Sequence, residues 1–157
     1  MQIGDALPHF KLPTPDGEIL SDTDLSNQWS VIYFYPKDNT PGCTKEAIAF
    51  SEQMDAFRKL GARVIGVSRD SPRKHTNFID KHDLTVELIS DEDGELCEAF
   101  GVWVEKQMYG KTYWGIERST FLFEPENVCR EVWRKVKVSG HVEEVIEKLS
   151  DCVNQIE

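Results

Sequence analysis

Two kinds of apolar spacing alternate along this 157-residue chain. Val31-Ile32-Tyr33-Phe34-Tyr35 is an unbroken apolar run. It is too short and too uniform for a surface helix, and it predicts a central strand over 30–35, buried on both faces. Over 44–60, Ala47, Phe50, Met54 and Phe57 recur at three and four, and Gly61 ends the pattern, which predicts one helix with a single core face. Arg63-Val64-Ile65-Gly66-Val67-Ser68 predicts a second buried strand, and Ser71-Pro72 opens a helix that runs to about His82. Val86-Glu87-Leu88-Ile89 is a short strand, followed by a turn at Asp91-Glu92-Asp93-Gly94 and a brief helix with Leu96, Ala99 and Phe100 apolar.

Upstream, Phe10-Lys11-Leu12 and Glu18-Ile19-Leu20 flank Pro13-Thr14-Pro15-Asp16-Gly17, the pattern of a hairpin with an Asp-Gly turn. Downstream, residues 101–117 show no period and are expected as a long loop, a length that is usually functional in a compact domain. Ser119-Thr120-Phe121-Leu122-Phe123 and residues 129–138 read as strands around a turn at Pro125-Glu126-Asn127. A last helix from His141 to about Gln155 carries Val142, Val145, Ile146, Leu149 and Val153 on one face. Strands alternate with helices early, and two adjacent strands and a helix close the chain. That order predicts an α/β domain whose sheet is mixed, parallel and then antiparallel, with helices on both faces. Its length fits a single domain over 1–157.

The formal net charge of −10 argues against non-specific binding to nucleic acid or to an anionic membrane. Apolar runs stay below membrane-spanning length, and Met1-Gln2-Ile3-Gly4-Asp5 lacks the basic and apolar regions of a signal peptide, so the expected compartment is the cytoplasm. Small molecules and other soluble proteins are the expected partners. Cys43, Cys97, Cys129 and Cys152 are widely spaced, with no C-x-x-C pair and no zinc-type cluster. In a reducing compartment they are expected as free thiols.

One of them sits differently. Pro36-Lys37-Asp38-Asn39-Thr40-Pro41-Gly42-Cys43-Thr44-Lys45-Glu46 joins the buried strand to the following helix. That join puts the Cys43 sulfur at a helix start, where unpaired N–H groups and the positive end of the dipole favour thiolate over thiol. Gly42 lets backbone approach a ligand closely, Thr40 offers a hydroxyl one turn before the sulfur, and Pro36 and Pro41 stiffen the loop. Glu46 lies in the same turn and its charge opposes a thiolate, so a cation is expected to help. Lys45 points elsewhere on the helix; Arg118 is the better candidate if the strand over 119–123 lies beside the strand over 30–35.

Pro36, Thr40 and Cys43 match P-x-x-x-[TS]-x-x-C, and the segment resembles the peroxiredoxin signature. The fuller string YPKDNTPGCTKEA is similar to the bacterioferritin comigratory protein branch, the Q-type peroxiredoxins, and so are IGDALPHFKLPTPDG, SDEDGELCEAFGVW, GKTYWGIERSTFLF and VWRKVKVSGHVEEV. The resemblance implies a thioredoxin-like fold and a thiol peroxidase that protects against oxidative stress. In that scheme Cys43 is the peroxidatic nucleophile, attacking hydrogen peroxide or an alkyl hydroperoxide to leave a sulfenic acid. Thr40 hydrogen-bonds the sulfur and the peroxide, Arg118 stabilises the thiolate and the transition-state oxygens, and Pro36 screens the sulfur from water. The N–H groups of Gly42 and Cys43 bind the peroxide oxygen. No metal or organic cofactor is implied, and the implied state is a monomer.

The chain also departs from the pattern. Many members of this branch carry a resolving cysteine five residues after the peroxidatic one, and another variant places it thirty-six residues after; here those positions are Ile48 and Ile79. Neither familiar intramolecular disulfide can form, and the helix after Cys43 has no need to unwind for one. Cys97, Cys129 and Cys152 read as core filler. A one-cysteine cycle is expected, with the sulfenate reduced by thioredoxin, glutaredoxin or glutathione. A thiol–disulfide oxidoreductase would need a C-x-x-C pair, which Cys43-Thr44-Lys45-Glu46 does not provide; a redox sensor or holdase would show stoichiometric oxidation without turnover.

Overall fold

The structure is a computed structural model that describes residues 1–156. Its central sheet has five strands in the order β5-β4-β3-β8-β9: β3 (Trp29–Phe34), β4 (Ala62–Ser68), β5 (Glu87–Ser90), β8 (Ser119–Phe123) and β9 (Cys129–Trp133). β3, β4 and β5 are mutually parallel, and β8 and β9 add antiparallel to β3. The helices are α1 (Pro41–Glu52), α2 (Met54–Lys59), α3 (Pro72–His82), α4 (Glu95–Ala99) and α5 (His141–Ile156). Two hairpins, β1 (Lys11–Pro13) with β2 (Ile19–Ser21) and β6 (Trp103–Met108) with β7 (Lys111–Ile116), complete the chain. This is the expected mixed α/β sheet with an N-terminal hairpin. No helix among the described residues is long and apolar enough to cross a membrane.

Strand alternation divides the core into two layers. Val31, Tyr33 and Tyr35 pack with Cys43, Ala47 and Phe50 of α1, Met54 and Phe57 of α2, Phe78 of α3 and Val142, Val145 and Leu149 of α5. Ile32 and Phe34 face the other way, onto the N-terminal segment (Leu7, Phe10, Leu20, Leu25) and onto Leu96, Cys97 and Phe100 of α4 and its C-cap. Each fully buried Phe contributes about 2–3 kcal/mol of transfer free energy. Gly66 on β4 is paired with Tyr33 on β3, and a Cβ there would meet the Tyr33 hydroxyl and Leu88 at 2.7 Å. Glycine is what lets that ring lie across the sheet, stacked on Phe50 at 4.5 Å.

Three elements differ from the pattern reading. The helix over 44–60 is two helices, broken at Gln53 (φ −106, ψ 13), although Ala47, Phe50, Met54 and Phe57 all reach the same core; period alone does not register a one-residue kink. Residues 101–117 are a hairpin, not a loop, turning at Tyr109 (φ 53) and Gly110 (φ 77). Its strands are exposed or half-buried over most of their length, so no period-2 apolar pattern marks them. β9 ends at Trp133, short of the expected 138.

His141, in the first turn of α5, joins α5 to β8: its Nε2 lies 2.8 Å from the Thr120 hydroxyl, and Phe50 and Trp133 flank its ring edge-on. Burial, with the Arg118 charge second, pushes this imidazole down to about 4. The unfolded chain takes up the proton near 6.5, so this stability is whole above pH 6.5 and lost as pH falls from 6.5 through about 4. The full excursion is worth at most about 3 kcal/mol. Urea unfolding at pH 7 and pH 4.5 should show a larger loss in the wild type than in His141→Gln; equal losses would remove His141 from the account.

Candidate active site

The β3–β8 pairing fixes the site. Tyr33 pairs with Thr120 and Phe34 with Ser119, so one residue further on Arg118 stands beside the end of β3. By alternation it shares the face of Thr120 and Leu122, under α1. The expectation that the strand over 119–123 lies beside β3 is met, and Arg118 Nη2 donates to Cys43 Sγ at 3.4 Å. Gly42 leaves room for this: a Cβ there would be 3.1 Å from Nη2.

Cys43 is the third residue of α1, 1% exposed. Thr40 is the N-cap, Pro41 occupies the first turn, and no side chain caps the helix, so the N–H groups of Gly42 and Cys43 lack intrahelical partners. Pro36 is exposed at the rim. Thr40 Oγ1 donates its proton to the Lys37 carbonyl at 2.8 Å. The hydroxyl therefore has lone pairs, not a proton, to offer the pocket.

Glu46 differs from the sequence reading, which made it a charge opposed to the thiolate. It is 0% exposed and accepts from Arg118 Nη1 at 2.8 Å, while its Oε2 has no hydrogen-bond partner among the described residues. Burial lifts this carboxyl to about 7, against the Arg118 charge and hydrogen bond, which pull it down. For Arg118 itself burial works against the charge, but Glu46 and Cys43 outweigh it and the guanidinium stays protonated. One cation thus serves two buried acids.

A second group was not legible in sequence. The Tyr35 hydroxyl donates to Asp38 Oδ1 (2.6 Å), His75 Nδ1 lies 2.6 Å from Asp38 Oδ2, and the Asp38 N–H and the Ser68 hydroxyl both donate to Asp70 Oδ2 (2.8 Å each). His75 Nε2 faces the Ile89 carbonyl at 3.0 Å. Since a carbonyl only accepts, Nε2 carries a proton. This buried network ties the loop between β3 and α1 to β4, α3 and β5. Asp38, Asp70 and His75 offer atoms within 4.8 Å of one another, close enough to hold a cation. Both His75 nitrogens, both Asp38 oxygens and Asp70 Oδ2 are already committed to these bonds.

All four cysteines are free and buried. Cys97 and Cys129 lie in the layer across the sheet from Cys43. Burial, with an Asp91 hydrogen bond second, pushes the Cys97 thiol well up, and burial lifts Cys129 to about 11. Cys152, on α5, shares the Cys43 layer. Ile48 and Ile79 pack as partly buried members of that layer.

Fold and site together define a thioredoxin-like protein built around an arginine-bound cysteine at a helix start. The AhpC/TSA family model matches residues 3–132. Peroxiredoxin Bcp of Bacillus subtilis is 46% identical over 151 residues, covering 96% of this chain and 96% of that protein. Peroxiredoxin Bcp of Xanthomonas campestris is 52% identical over 130 residues, covering 83% and 81%. Among solved structures, the Xanthomonas campestris bacterioferritin comigratory protein, described for its alkyl peroxide reduction activity, superposes with a TM-score of 0.89 at 44% identity, covering 95% of this chain and 99% of that one. The chain belongs to the AhpC/TSA family, in its Bcp or Q-type peroxiredoxin branch.

The Glu46 carboxyl gives a stability signature. Its folded value lies above the ordinary 4.5, so the folded state holds the proton longer and stability falls as pH rises from about 4.5 through 7. Glu46→Gln keeps an acceptor for Arg118 and removes the titration. Thermal unfolding at pH 5 and pH 8 should show the variant losing less stability with rising pH than the wild type. A parallel loss would mean that Glu46 is ionised throughout.

Proposed function

We propose that this chain is a thiol-dependent peroxidase of the one-cysteine kind, with Cys43 as nucleophile and an external thiol as reductant. The observation that carries this reading is the Arg118 Nη2 contact with Cys43 Sγ at 3.4 Å, at a helix start whose first N–H groups are free. The Cys43 thiolate attacks the distal oxygen of the hydroperoxide. The O–O bond breaks, sulfur is oxidised to sulfenic acid, and the leaving alkoxide or hydroxide takes a proton to become alcohol or water. Arg118 holds the thiolate and the oxygen on which charge develops, and the Gly42 and Cys43 N–H groups face that oxygen. Thr40, its proton given to Lys37, accepts the O–H of the bound peroxide and so orients the distal oxygen. Pro36 forms the rim.

The one-cysteine reading is supported by aliphatic residues at 48 and 79 and by the sheet between Cys43 and both Cys97 and Cys129. Thioredoxin, glutaredoxin and glutathione are the reductants whose thiols fit this cycle. A cytoplasmic monomer, folded as one domain over 1–157, completes the reading.

Hydrogen peroxide consumption with dithiothreitol should fall to background in Cys43→Ser. Mass spectrometry after one equivalent of peroxide should find a trappable sulfenic acid on Cys43. A Cys43 disulfide within the same chain would overturn the one-cysteine cycle. Gly42→Ala separates activity from stability: a helical alanine adds up to about 1 kcal/mol, while its methyl displaces Nη2 from the sulfur. Peroxidase activity several-fold lower in a protein at least as stable is the expected result; unchanged activity would mean that the Arg118 approach is not needed.

A further inference from the structure

The loop over 36–40 is exposed or half-buried except at one residue: Asp38 is 6% exposed. Beneath it Asp70 is 8% exposed, and His75 and Ser68 are fully buried. Burying two carboxyl groups and an imidazole is costly unless each is bonded, and well-packed apolar side chains would serve stability as well or better. Stability alone does not account for these residues.

Asp38 is pinned twice. Its side chain accepts the Tyr35 hydroxyl on Oδ1 and faces His75 Nδ1 with Oδ2, each at 2.6 Å. Its backbone N–H donates to Asp70 Oδ2 at 2.8 Å. That N–H shares a planar peptide group with the Lys37 carbonyl, which accepts the Thr40 hydroxyl at 2.8 Å. In a trans peptide the N–H and the C=O point to opposite sides, so Asp70 on one side fixes the carbonyl on the other. Asp70 is itself fixed by Ser68, whose hydroxyl donates to the same Oδ2 at 2.8 Å and accepts the Asp70 N–H at 3.2 Å. A rotation of that peptide plane would strand the Asp38 N–H and take the acceptor away from Thr40. The hydroxyl proton would then turn into the pocket, changing Thr40 from an acceptor of the peroxide O–H into a donor.

We infer that Asp70 is a positioning residue for peroxide reduction: through the Lys37–Asp38 peptide group it fixes whether Thr40 presents lone pairs or its proton to the bound peroxide. The inference rests on the peroxidase reading above. The bonds of Asp70 reach Asp38 and Ser68, not Cys43 or Arg118, so its effect passes through Thr40 and leaves the thiolate as it is. Tyr35 and His75 hold the same residue by its side chain and keep the peptide group from turning.

The test is a double-mutant cycle with hydrogen peroxide as substrate and dithiothreitol as reductant. In Asp70→Ala, kcat/KM for hydrogen peroxide should fall ~10-fold or more, the scale of a slightly misplaced orienting group. Asp70→Asn, which keeps an oxygen acceptor for the Asp38 N–H, should restore most of it. In a Thr40→Val chain no hydroxyl remains to orient, and removing Asp70 as well should change the rate less than ~2-fold. The pH dependence of Cys43 alkylation by iodoacetamide should match the wild type in Asp70→Ala, since Arg118 and the helix start are untouched. Equal losses in the two Thr40 backgrounds overturn the inference, as does an unchanged rate in Asp70→Ala or a shifted alkylation profile. If circular dichroism shows that Asp70→Ala does not fold, Ser68→Ala, which removes the other donor to Asp70 Oδ2, replaces it in the cycle and is read in the same way. A wild type that consumes no hydrogen peroxide in a Cys43-dependent way removes the peroxidase reading and this inference together; equal losses in an active enzyme remove the inference alone.

Discussion

Arg118 holds Cys43 through Nη2 and Glu46 through Nη1, and the rest of the site is arranged around that shared cation. A guanidinium does not lose its proton in a protein, so it is a fixed positive charge. The two acids it serves are not fixed. With Glu46 near neutrality in its proton affinity, a negative charge on the sulfur disfavours one on Glu46, and the reverse. A buried carboxyl in that position is therefore not the simple opponent of the thiolate that its place in the helix implies. Protonated, it leaves the Arg118 charge to the sulfur while continuing to hold the guanidinium in place.

Preorganisation of the loop before Cys43 rests on a second buried system. The Tyr35, Asp38, His75, Asp70 and Ser68 bonds bring together residues of the loop, the end of β4 and α3. One proton lies between His75 Nδ1 and Asp38 Oδ2; whichever atom holds it, the same heavy atoms are tied. The loop that carries Pro36 and Thr40 is thus held from beneath by these buried contacts. Asn39, with φ at 64, completes the turn between Asp38 and Thr40.

What could be read from the sequence and what could not divides along a physical line. Buried strands and the Cys43 helix start were legible because burial on both faces produces unbroken apolar runs, and because proline, glycine and threonine have narrow backbone roles. Arg118 could be nominated but not placed, since its reach depends on the β3–β8 register. The Asp38–His75 pair was invisible because its partners lie 37 residues apart and each alone resembles a surface residue. The β6–β7 hairpin escaped for a different reason. Much of it packs against no core, so alternation had nothing to report, and the Tyr109-Gly110 turn was the sole local signal.

Access to the sulfur is the remaining constraint on the cycle. Cys43 is nearly enclosed, whereas a sulfenate must be met in line by the thiol that reduces it. The first turn of α1 is the weakest part of the enclosure. It has no side-chain cap and contains Gly42, and Pro41 and Lys45 are exposed. Glu46 is different, fully buried and bound to Arg118. Fraying from the N-terminus meets little resistance until it reaches Glu46, where it must break the buried Glu46–Arg118 contact. Fraying is accordingly confined to residues 41–45, and in the proposed cycle that is where an outside thiol would enter. The lower turns of α1, anchored by Ala47 and Phe50, stay folded, and with Ile48 in them no intramolecular disulfide gives a reason for them to open.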